Sequence, residues 1–341
     1  MAKQSSLHPQ VLRPGDPMDE WDRFVDESPQ GCVFCRSWWL DAVAPRNFQI
    51  LLLRNGERIV AGMPLVQTRK WNLRVVHMPQ LTQTLGPLLA RPTSNRYEKQ
   101  LSAEMEILAL LETHVPPSNY FQVCFHSRVT NWLPFHWAGY QQTTRYSYAI
   151  EGLGDIERVV AGFAHSKRKN IRRAERLVDV RQDMPPGDFY EHHVRTLRQQ
   201  GEVISYSRDL FERVHRATYA HGAGKTWYAI DADGNVHAGV FVVHDVHRAY
   251  YLISTIDPAF RDSGAATLLV LRAMEHAAKF TDTFDFEGSM MQSVERSFRK
   301  FGARQTPYFC ITKGRWGGLV RAVARIASRR GWMTRLLGFR R

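Results

Sequence analysis

The sequence predicts an α/β protein made of two similar units and a basic tail, and three observations support this prediction. The chain has 341 residues, and because domains of about 100 to 200 residues are usual, two domains are the default. Apolar segments with the pattern of strands alternate with segments of helical spacing, which is typical of α/β units. A stretch of the first half also recurs in the second half, which indicates a duplication.

The recurring stretch has the pattern of a β-hairpin. Phe48–Val66 contains an apolar run, an Asn-Gly pair and a second apolar run with an Ala-Gly pair, and Lys225–Val243 repeats this order around an Asp-Gly pair. Asn-Gly and Asp-Gly between apolar runs are the strongest short-range signals for a hairpin. A second match follows each hairpin, because Phe, Gly, Gln and Thr have the same spacing in segments 135–143 and 298–306. Matched pairs in the same order favour duplication over coincidence.

These matches divide the chain into four predicted segments. Residues 1–16 form an N-terminal extension, 17–146 the first unit, 147–312 the second unit and 313–341 the tail. In the second unit we expect alternating elements over Asp155–Leu177 (helix), Arg248–Ile256 (strand), Ala265–Lys279 (helix), Thr283–Glu287 (strand), Val294–Phe301 (helix) and Pro307–Thr312 (strand). Strands interleaved with helices in this way define an α/β unit.

The composition excludes several classes of protein. A hydrophobic fraction of 44% and a charged fraction of 23% are ordinary for a globular protein and exclude intrinsic disorder. Four cysteines and no charged-then-apolar leader predict a reducing, cytosolic compartment. No segment approaches the roughly 18 consecutive apolar residues of a membrane span. Without a G-x-S-x-G elbow, a Walker loop or a second ligand pair near Cys32-x-x-Cys35, we expect neither a hydrolase nor an NTPase nor a bound metal.

The tail holds much of the positive charge. The net charge of the chain is +13, and residues 313–341 contain nine basic side chains and no acidic one. Arg321, Arg325 and Arg329 follow one another at helical spacing, with Trp, Leu and Phe residues nearby. A helix of this composition can lie on an anionic bilayer, so the tail predicts peripheral association with the inner face of the cell membrane. A basic tail that contacts RNA is the alternative.

The most informative segment joins the predicted strand over Arg248–Ile256 to the helix that follows it. This segment contains the pattern R-x-x-G-x-A at Arg261, Gly264 and Ala266. A helix N-terminus offers unpaired N–H groups and partial positive charge to a phosphate, and glycine lets a ligand approach the backbone closely. The order of strand, R-x-x-G-x-A and helix resembles the pyrophosphate-binding element of the GNAT acyltransferases. The resemblance implies that Arg261, Gly264 and Ala266 bind acyl-CoA as the acyl donor.

Two carboxylates are candidates for the catalytic base. Asp285 and Glu287 are two residues apart on a predicted strand and therefore lie on one face, with Phe284 and Phe286 on the other. A base that takes a proton from an acceptor ammonium needs a carboxylate within hydrogen-bond reach, directly or through water. We predict that Glu287, or else Asp285, deprotonates the acceptor amine.

The general acid is harder to place. Phe298–Gly302 resembles the helix end and turn that precede the last strands of a GNAT domain. Many GNAT enzymes have a tyrosine four residues before this glycine, placed to protonate the leaving thiolate, whereas this chain has Phe298. A phenyl ring cannot donate a proton, so the role is unfilled or belongs to another residue such as Ser297 or Tyr308. Catalysis would then depend mainly on positioning and on the base.

The duplication and a basic helix narrow the resemblance. The chain is similar to the FemAB-like branch of the GNAT superfamily, whose members join two GNAT-like domains in tandem. Besides the duplication and the basic helix, the segments Ser166–Ala174 and Phe284–Ser289 carry this similarity. The resemblance spans nearly all of residues 17–312. It implies in each domain a mixed, mostly antiparallel sheet flanked by helices, and transfer of amino acids or acyl groups to amines of cell-wall or surface-polymer precursors.

Basic side chains of the helix near residue 170 are predicted to bind the acceptor. Lys167, Arg168 and Arg172 can share one side of that helix, and the arginine fork suits phosphate. We therefore expect a glycan or peptide acceptor linked to a nucleotide or a lipid diphosphate. The first unit has no R-x-x-G-x-A match at its equivalent place, so the second unit is expected to bind the donor.

These features predict a cytoplasmic N-acyltransferase that moves an acyl group from acyl-CoA to an amine of a cell-wall or surface-polysaccharide precursor. An alternative with the same fold takes its donor from aminoacyl-tRNA and acts on a peptidoglycan precursor. An alternative of another class is a non-catalytic adaptor that binds a membrane or RNA through the basic tail.

Overall fold

The computed structural model describes residues 7–70, 72–288 and 290–314, and these fall into two compact units. The first unit comprises the residues up to Arg145 together with Pro307 and the residues after it, and the second comprises Tyr146–Thr306. In the described part of the chain, no helix is long and apolar enough to span a membrane. The tail predicted to contact a membrane lies, from residue 315 onward, outside the described residues.

Strands and helices alternate along the described residues. The strands are β1 (Leu7–Leu12), β2 (Phe48–Asn55), β3 (Arg58–Lys70), β4 (Leu73–His77), β5 (Leu88–Leu89), β6 (Tyr120–Cys124), β7 (Gln141–Glu151), β8 (Asp179–Gln182), β9 (Gly224–Ile230), β10 (Val236–His244), β11 (Ala249–Ile256), β12 (Thr283–Asp285) and β13 (Arg304–Lys313). The α-helices are α1 (Asp19–Glu27), α2 (Ser37–Val43), α3 (Tyr97–Thr113), α4 (Leu133–Trp137), α5 (Ile156–Ala161), α6 (His165–Ala174), α7 (Pro186–Gln199), α8 (Arg208–Ala220), α9 (Ala265–Ala277) and α10 (Gln292–Arg299). Short 3₁₀ turns cover Val33–Cys35 and Pro258–Ser263.

The strands of the two units follow the same pattern. The order in the first unit is β1-β2-β3-β4-β6-β13, with β5 beside β3, and the order in the second is β8-β9-β10-β11-β12-β7. Neighbouring strands are antiparallel, except that β4 with β6 and β11 with β12 are parallel. The two hairpins predicted from the repeat are β2–β3 and β9–β10, which take equivalent places. The prediction of mixed, mostly antiparallel sheets flanked by helices is confirmed.

Two boundaries differ from those predicted from the sequence. The segment predicted as an extension, residues 1–16, contains β1, which pairs with β2 at every position from Leu7 to Leu12. The last strand was expected in the second unit, but from Pro307 onward it belongs to the first. The reason is that Cys310 and the three residues after it pair with β6, opposite Cys124. The first unit therefore takes its final strand from the far end of the chain.

The helix predicted over Asp155–Leu177 is interrupted in the structure. α5 ends at Ala161 and α6 begins at His165. Between them the Ala164 N–H donates to the Lys300 carbonyl oxygen instead of continuing the helical ladder. The break lets α6 pack on α9 and on the 3₁₀ turn before it.

The core of the second unit forms around α9. This helix is apolar on nearly all of its faces, and nine of its 13 residues are buried. Such a pattern is typical of a helix covered on all sides, and α9 contacts strands β9, β10, β11 and β12. Burial of this extent fixes the position of the first turn of α9.

The ion pair of Asp285 with Arg248 is buried inside the second unit. Asp285 is 1% exposed, and its Oδ2 accepts a hydrogen bond from Arg248 Nη1 at 2.8 Å. Its Oδ1 accepts from the Ser147 hydroxyl and from the Glu287 N–H. Removing one member of a buried pair is costly, because the remaining charge has neither water nor its counter-charge. The carboxylate therefore ties the start of β11 to the end of β12 and to β7.

Replacing Asp285 by alanine should lower the free energy of unfolding by about 3 to 5 kcal/mol, because Arg248 would be buried without its carboxylate. Urea denaturation of the full chain, followed by circular dichroism, measures this value. Arg272→Ala is the matched control, since the side chains of its ion pair with Glu275 are 36% and 37% exposed and a loss below about 1 kcal/mol is expected. Equally small losses in both variants would contradict a structural role for Asp285.

Candidate functional site

Strands β11 and β12 separate soon after they begin to pair. Within the described residues their parallel pairing covers two positions, Ala249 with Phe284 and Tyr250 with Asp285. β12 then ends, whereas β11 continues along β10 to Ile256 with a bulge in its register. The two parallel strands therefore diverge, and a gap opens beside the second half of β11.

A helix N-terminus lies next to this gap. After β11 the turn Pro258–Ser263 leads into α9 through Gly264, which has a φ of +84°. A Cβ atom on Gly264 would come within 2.3 Å of the Asn170 carbonyl oxygen on α6. Glycine is required here both by the left-handed backbone and by the close approach of α6. From the sequence, this glycine is expected to let a ligand approach the backbone, whereas in the structure the α6 backbone lies against it.

A pocket of about 180 Å³ lies between α6, the start of α9, β11 and α10. Its lining includes the three residues predicted to bind acyl-CoA, Arg261, Gly264 and Ala266. It also includes Lys167, one of the residues predicted to bind the acceptor. The structure thus brings together four of the predicted site residues, from α6 and from the turn before α9.

Lys167 extends from α6 to line this pocket and is partly buried. Its Nζ donates a hydrogen bond to Ser297 Oγ on α10 at 3.0 Å and lies 3.9 Å from the centre of the Phe301 ring. These neighbours are a hydroxyl and an aromatic ring rather than a carboxylate. Burial, and after it the charge of Lys300, lowers the pKa of Lys167 to about 8. The ammonium therefore releases its proton more readily than an exposed lysine does.

Aromatic rings form one side of the pocket. Phe286 stacks on Phe298 with ring centroids 4.7 Å apart and contacts the Phe301 ring at 5.2 Å. The Tyr251 ring meets Phe286 at 5.7 Å, and burial raises the pKa of its phenol to about 12. Tilted and stacked ring pairs stabilise one another beyond the burial of their surface. This side of the pocket is therefore apolar and closely packed.

The two predicted bases lie outside the pocket lining. The Asp285 carboxylate is engaged in the core by Arg248 and Ser147. Glu287 follows the end of β12, is partly buried and has a φ of +58°. Gly288 after it is also left-handed, and a Cβ there would overlap the Tyr146 carbonyl oxygen. The backbone thus turns sharply just beyond β12, and Glu287 lies at that turn.

The remaining predicted residues lie elsewhere. Arg168 donates a hydrogen bond to the Ala161 carbonyl at 2.6 Å, and Arg172 is exposed on α6. Of the two candidate proton donors, Ser297 lines the pocket, whereas Tyr308 belongs to the first unit and lies near Arg145. Across the ranges that the structure describes, no group of three or more His, Cys, Asp or Glu side chains is placed to hold a metal ion.

Sequence reasoning misses several residues of the pocket. Asn170, whose backbone meets Gly264, and the rings of Tyr251 and Phe301 were not singled out. Tyr251 was within reach, because it lies on the strand directly before the R-x-x-G-x-A pattern. The contact of Lys167 with Ser297 joins residues 130 positions apart, and no local pattern indicates such a contact.

In the comparison with known proteins, one family model matches a large part of the second unit. Residues 163–292 match the family model described as an acetyltransferase (GNAT) domain. The matched range contains α6, β11, α9 and β12, and therefore most of the pocket lining. No curated protein matches the chain in a sequence comparison.

Solved structures share the fold of the chain at low sequence identity. FemX has a TM-score of 0.68 at 10% identity, over 88% of this chain and 96% of that one. A tandem GNAT protein from the clavulanic acid biosynthesis pathway has a TM-score of 0.53 at 12% identity, over 90% and 98%. A protein of unknown function from Bacteroides thetaiotaomicron has a TM-score of 0.54 at 11% identity, over 88% and 99%. The tandem fold expected from the FemAB-like resemblance is confirmed by these structures, and residues 163–292 of the second unit match the GNAT acetyltransferase domain.

Proposed function

We propose that the chain is an N-acyltransferase that takes an acyl group from acyl-CoA and transfers it to an amine. The observation that supports this proposal is the pocket where β11 and β12 diverge, because the start of α9 and two basic side chains, Lys167 and Arg261, converge there. The family of the second unit supports the class of reaction. The donor is therefore assigned to the second unit.

The chemistry of the pocket suits acyl-CoA. The first N–H groups of α9 and the guanidinium of Arg261 offer positive charge to a diphosphate. Arg261 is exposed and donates a hydrogen bond to Gln200 at 3.0 Å, which holds its guanidinium near the turn before α9. The aromatic side, with Tyr251, Phe286 and Phe298, suits the less polar thioester end of the donor.

Glu287 is our candidate for the base that deprotonates the acceptor ammonium. Its N–H donates to Asp285 at 2.8 Å, so the buried carboxylate supports the left-handed turn at which Glu287 lies. Asp285 thus positions the base and does not itself exchange protons with the substrate. The neutral amine attacks the thioester carbonyl, a C–N bond forms, and the C–S bond breaks with its electron pair on sulfur. The nitrogen then loses a proton and the thiolate takes one up, which gives an amide and free CoA. Backbone N–H groups of β11 beyond its pairing with β12 are the candidates to hold the developing oxyanion.

The proposed acceptor is an amine of a cell-wall or surface-polysaccharide precursor carried on a nucleotide or a lipid diphosphate. The basic residues of α6 support this choice, because exposed Arg172 and its neighbour Arg168 offer guanidinium groups to phosphate. Association with an anionic membrane through residues 313–341 stays a prediction from the sequence.

Aminoacyl-tRNA is a second candidate donor. α6 has no acidic residue, and its exposed basic side chains could contact a polyanion larger than CoA. Transfer that requires charged tRNA, with no use of acyl-CoA, would favour this candidate.

Arg261→Ala should weaken the binding of CoA and acetyl-CoA at least tenfold, about 1.4 kcal/mol, because the diphosphate loses its guanidinium partner. Isothermal titration calorimetry on the full chain measures the affinity. Arg216→Ala, which removes an exposed arginine of α8 in the same unit, should leave the affinity unchanged. No heat of binding from the native protein at millimolar ligand would contradict the choice of CoA and favour charged tRNA.

Glu287→Gln should slow acyl transfer by about a hundredfold or more while CoA affinity stays at the native value, because loss of a general base acts on the chemical step. The rate is measured as thiol release from acetyl-CoA with a panel of amino sugars and short peptides as acceptors. Glu157→Gln, an exposed change on α5, is the control and should keep the native rate. An unchanged rate for Glu287→Gln would place the base elsewhere.

If deletion of residues 315–341 instead removed all function, the adaptor alternative would be favoured.

A further inference from the structure

Lys167 and Ser297 form a pair in the donor pocket that the transfer described above does not use. Nζ and Oγ are 3.0 Å apart, and both residues line the pocket beside Phe298. The resemblance to GNAT enzymes implies a proton-donating tyrosine at this position, where the chain has Phe298. The pocket thus holds a hydroxyl and an ammonium next to the place where a phenol is missing.

The direction of this hydrogen bond determines what Ser297 can do. An ammonium has donors only, so Lys167 donates and Ser297 accepts. The hydroxyl hydrogen of Ser297 is then available to another acceptor, and Ser297 borders the pocket. A positive charge bonded to the oxygen also makes the hydroxyl a better proton donor, because it stabilises the alkoxide that would form.

We propose that Ser297 donates a proton to the leaving thiolate and that Lys167 restores this proton to Ser297. The inference rests on the function proposed above. As the amine nitrogen bonds to the acyl carbon, the C–S bond breaks with its electron pair on sulfur. Sulfur takes the Ser297 proton, and Ser297 takes one from the Lys167 ammonium. Glu287 passes the ammonium proton to solvent before the attack and takes the second proton, which the nitrogen loses after it. Solvent returns one proton to Lys167, so the products are an amide and a thiol, with one proton released when the acceptor starts as an ammonium.

The charged and titratable groups around Lys167 favour this role. Burial lowers the pKa of Lys167 to about 8, and repulsion from Lys300 at the end of α10 adds to this effect. The turn before α9 contributes Arg261 to the pocket, β11 contributes the Tyr251 phenol, and the lining residues of α9 itself do not titrate. Because the ammonium is present below pH about 8 and is lost above it, proton donation should stop as the pH rises through this value.

The test uses the full chain with acetyl-CoA as donor and hydroxylamine as acceptor, and it follows thiol release with a thiol-reactive dye. Hydroxylamine stays neutral above neutral pH, so its own titration does not enter the profile. The native kcat should fall as the pH rises through about 8. Ser297→Ala should lower kcat about a hundredfold with an unchanged KM for acetyl-CoA. Ser297→Thr, which keeps a hydroxyl, should recover most of the rate.

Variants of Lys167 separate proton transfer from a structural role. Lys167→Arg keeps a positive charge and hydrogen-bond donors, but a guanidinium does not release a proton in this range. Its kcat should be low at every pH, and the decline near pH 8 should disappear. Lys279→Ala removes an exposed lysine just beyond the end of α9 in the same unit and should match the native rate and profile.

Two results would overturn the relay while leaving the proposed function in place. One is a Ser297→Ala protein with the native rate and pH profile. The other is a Tyr251→Phe protein with a low kcat and no fall in kcat near pH 8, while the Ser297 and Lys167 variants keep the native kcat and pH profile. The Tyr251 phenol would then be the proton donor. A native protein that neither binds CoA nor releases thiol would overturn the proposed function, and the relay with it.

Discussion

The pocket between α6 and α9 depends on the packing of the α6 backbone against Gly264. Asn170 lies so close to the start of α9 that a methyl group on Gly264 would overlap its carbonyl oxygen. Lys167 precedes Asn170 by about one helical turn and so lies on the same side of α6, which directs it to the pocket. α9 cannot move away, because most of its residues are buried in the core. The backbone contact between Asn170 and Gly264 therefore sets the position of the Lys167 side chain.

The duplicated units keep the same strand pattern but differ in chemistry. β4 and β6 pair in parallel over two positions, as β11 and β12 do. In the second unit a short turn leads from β11 to α9 through Gly264, whereas in the first unit residues 78–96 separate β4 from α3 and Arg96 stands at the helix N-cap. The short parallel pairing is present in both units, but a helix that follows the first of the two strands through a short turn is a feature of the second. This difference explains why the predicted donor pattern occurs once.

Short-range pattern accounts for what could be predicted from the sequence. The two hairpins and the R-x-x-G-x-A turn are set by residues within a few positions of one another. In the structure the hairpins are β2–β3 and β9–β10, and the turn lines the pocket. The helix over Asp155–Leu177 was predicted as continuous, because its apolar spacing gives no sign that the Lys300 carbonyl binds the backbone at Ala164. The contact of Lys167 with Ser297 depends on the tertiary fold, and sequence spacing does not encode it.

The place of β13 has a consequence for the order in which the protein is made. Its residues from Pro307 onward complete the sheet of the first unit by pairing with β6, yet a ribosome adds them after the whole second unit. During translation β6 therefore has an open edge, and an open strand edge is a template for pairing with other chains. The nascent first unit would need protection from aggregation until the second unit has emerged. For the same reason a gene fragment that encodes the first unit alone, ending near residue 146, would yield a protein with a permanently incomplete sheet.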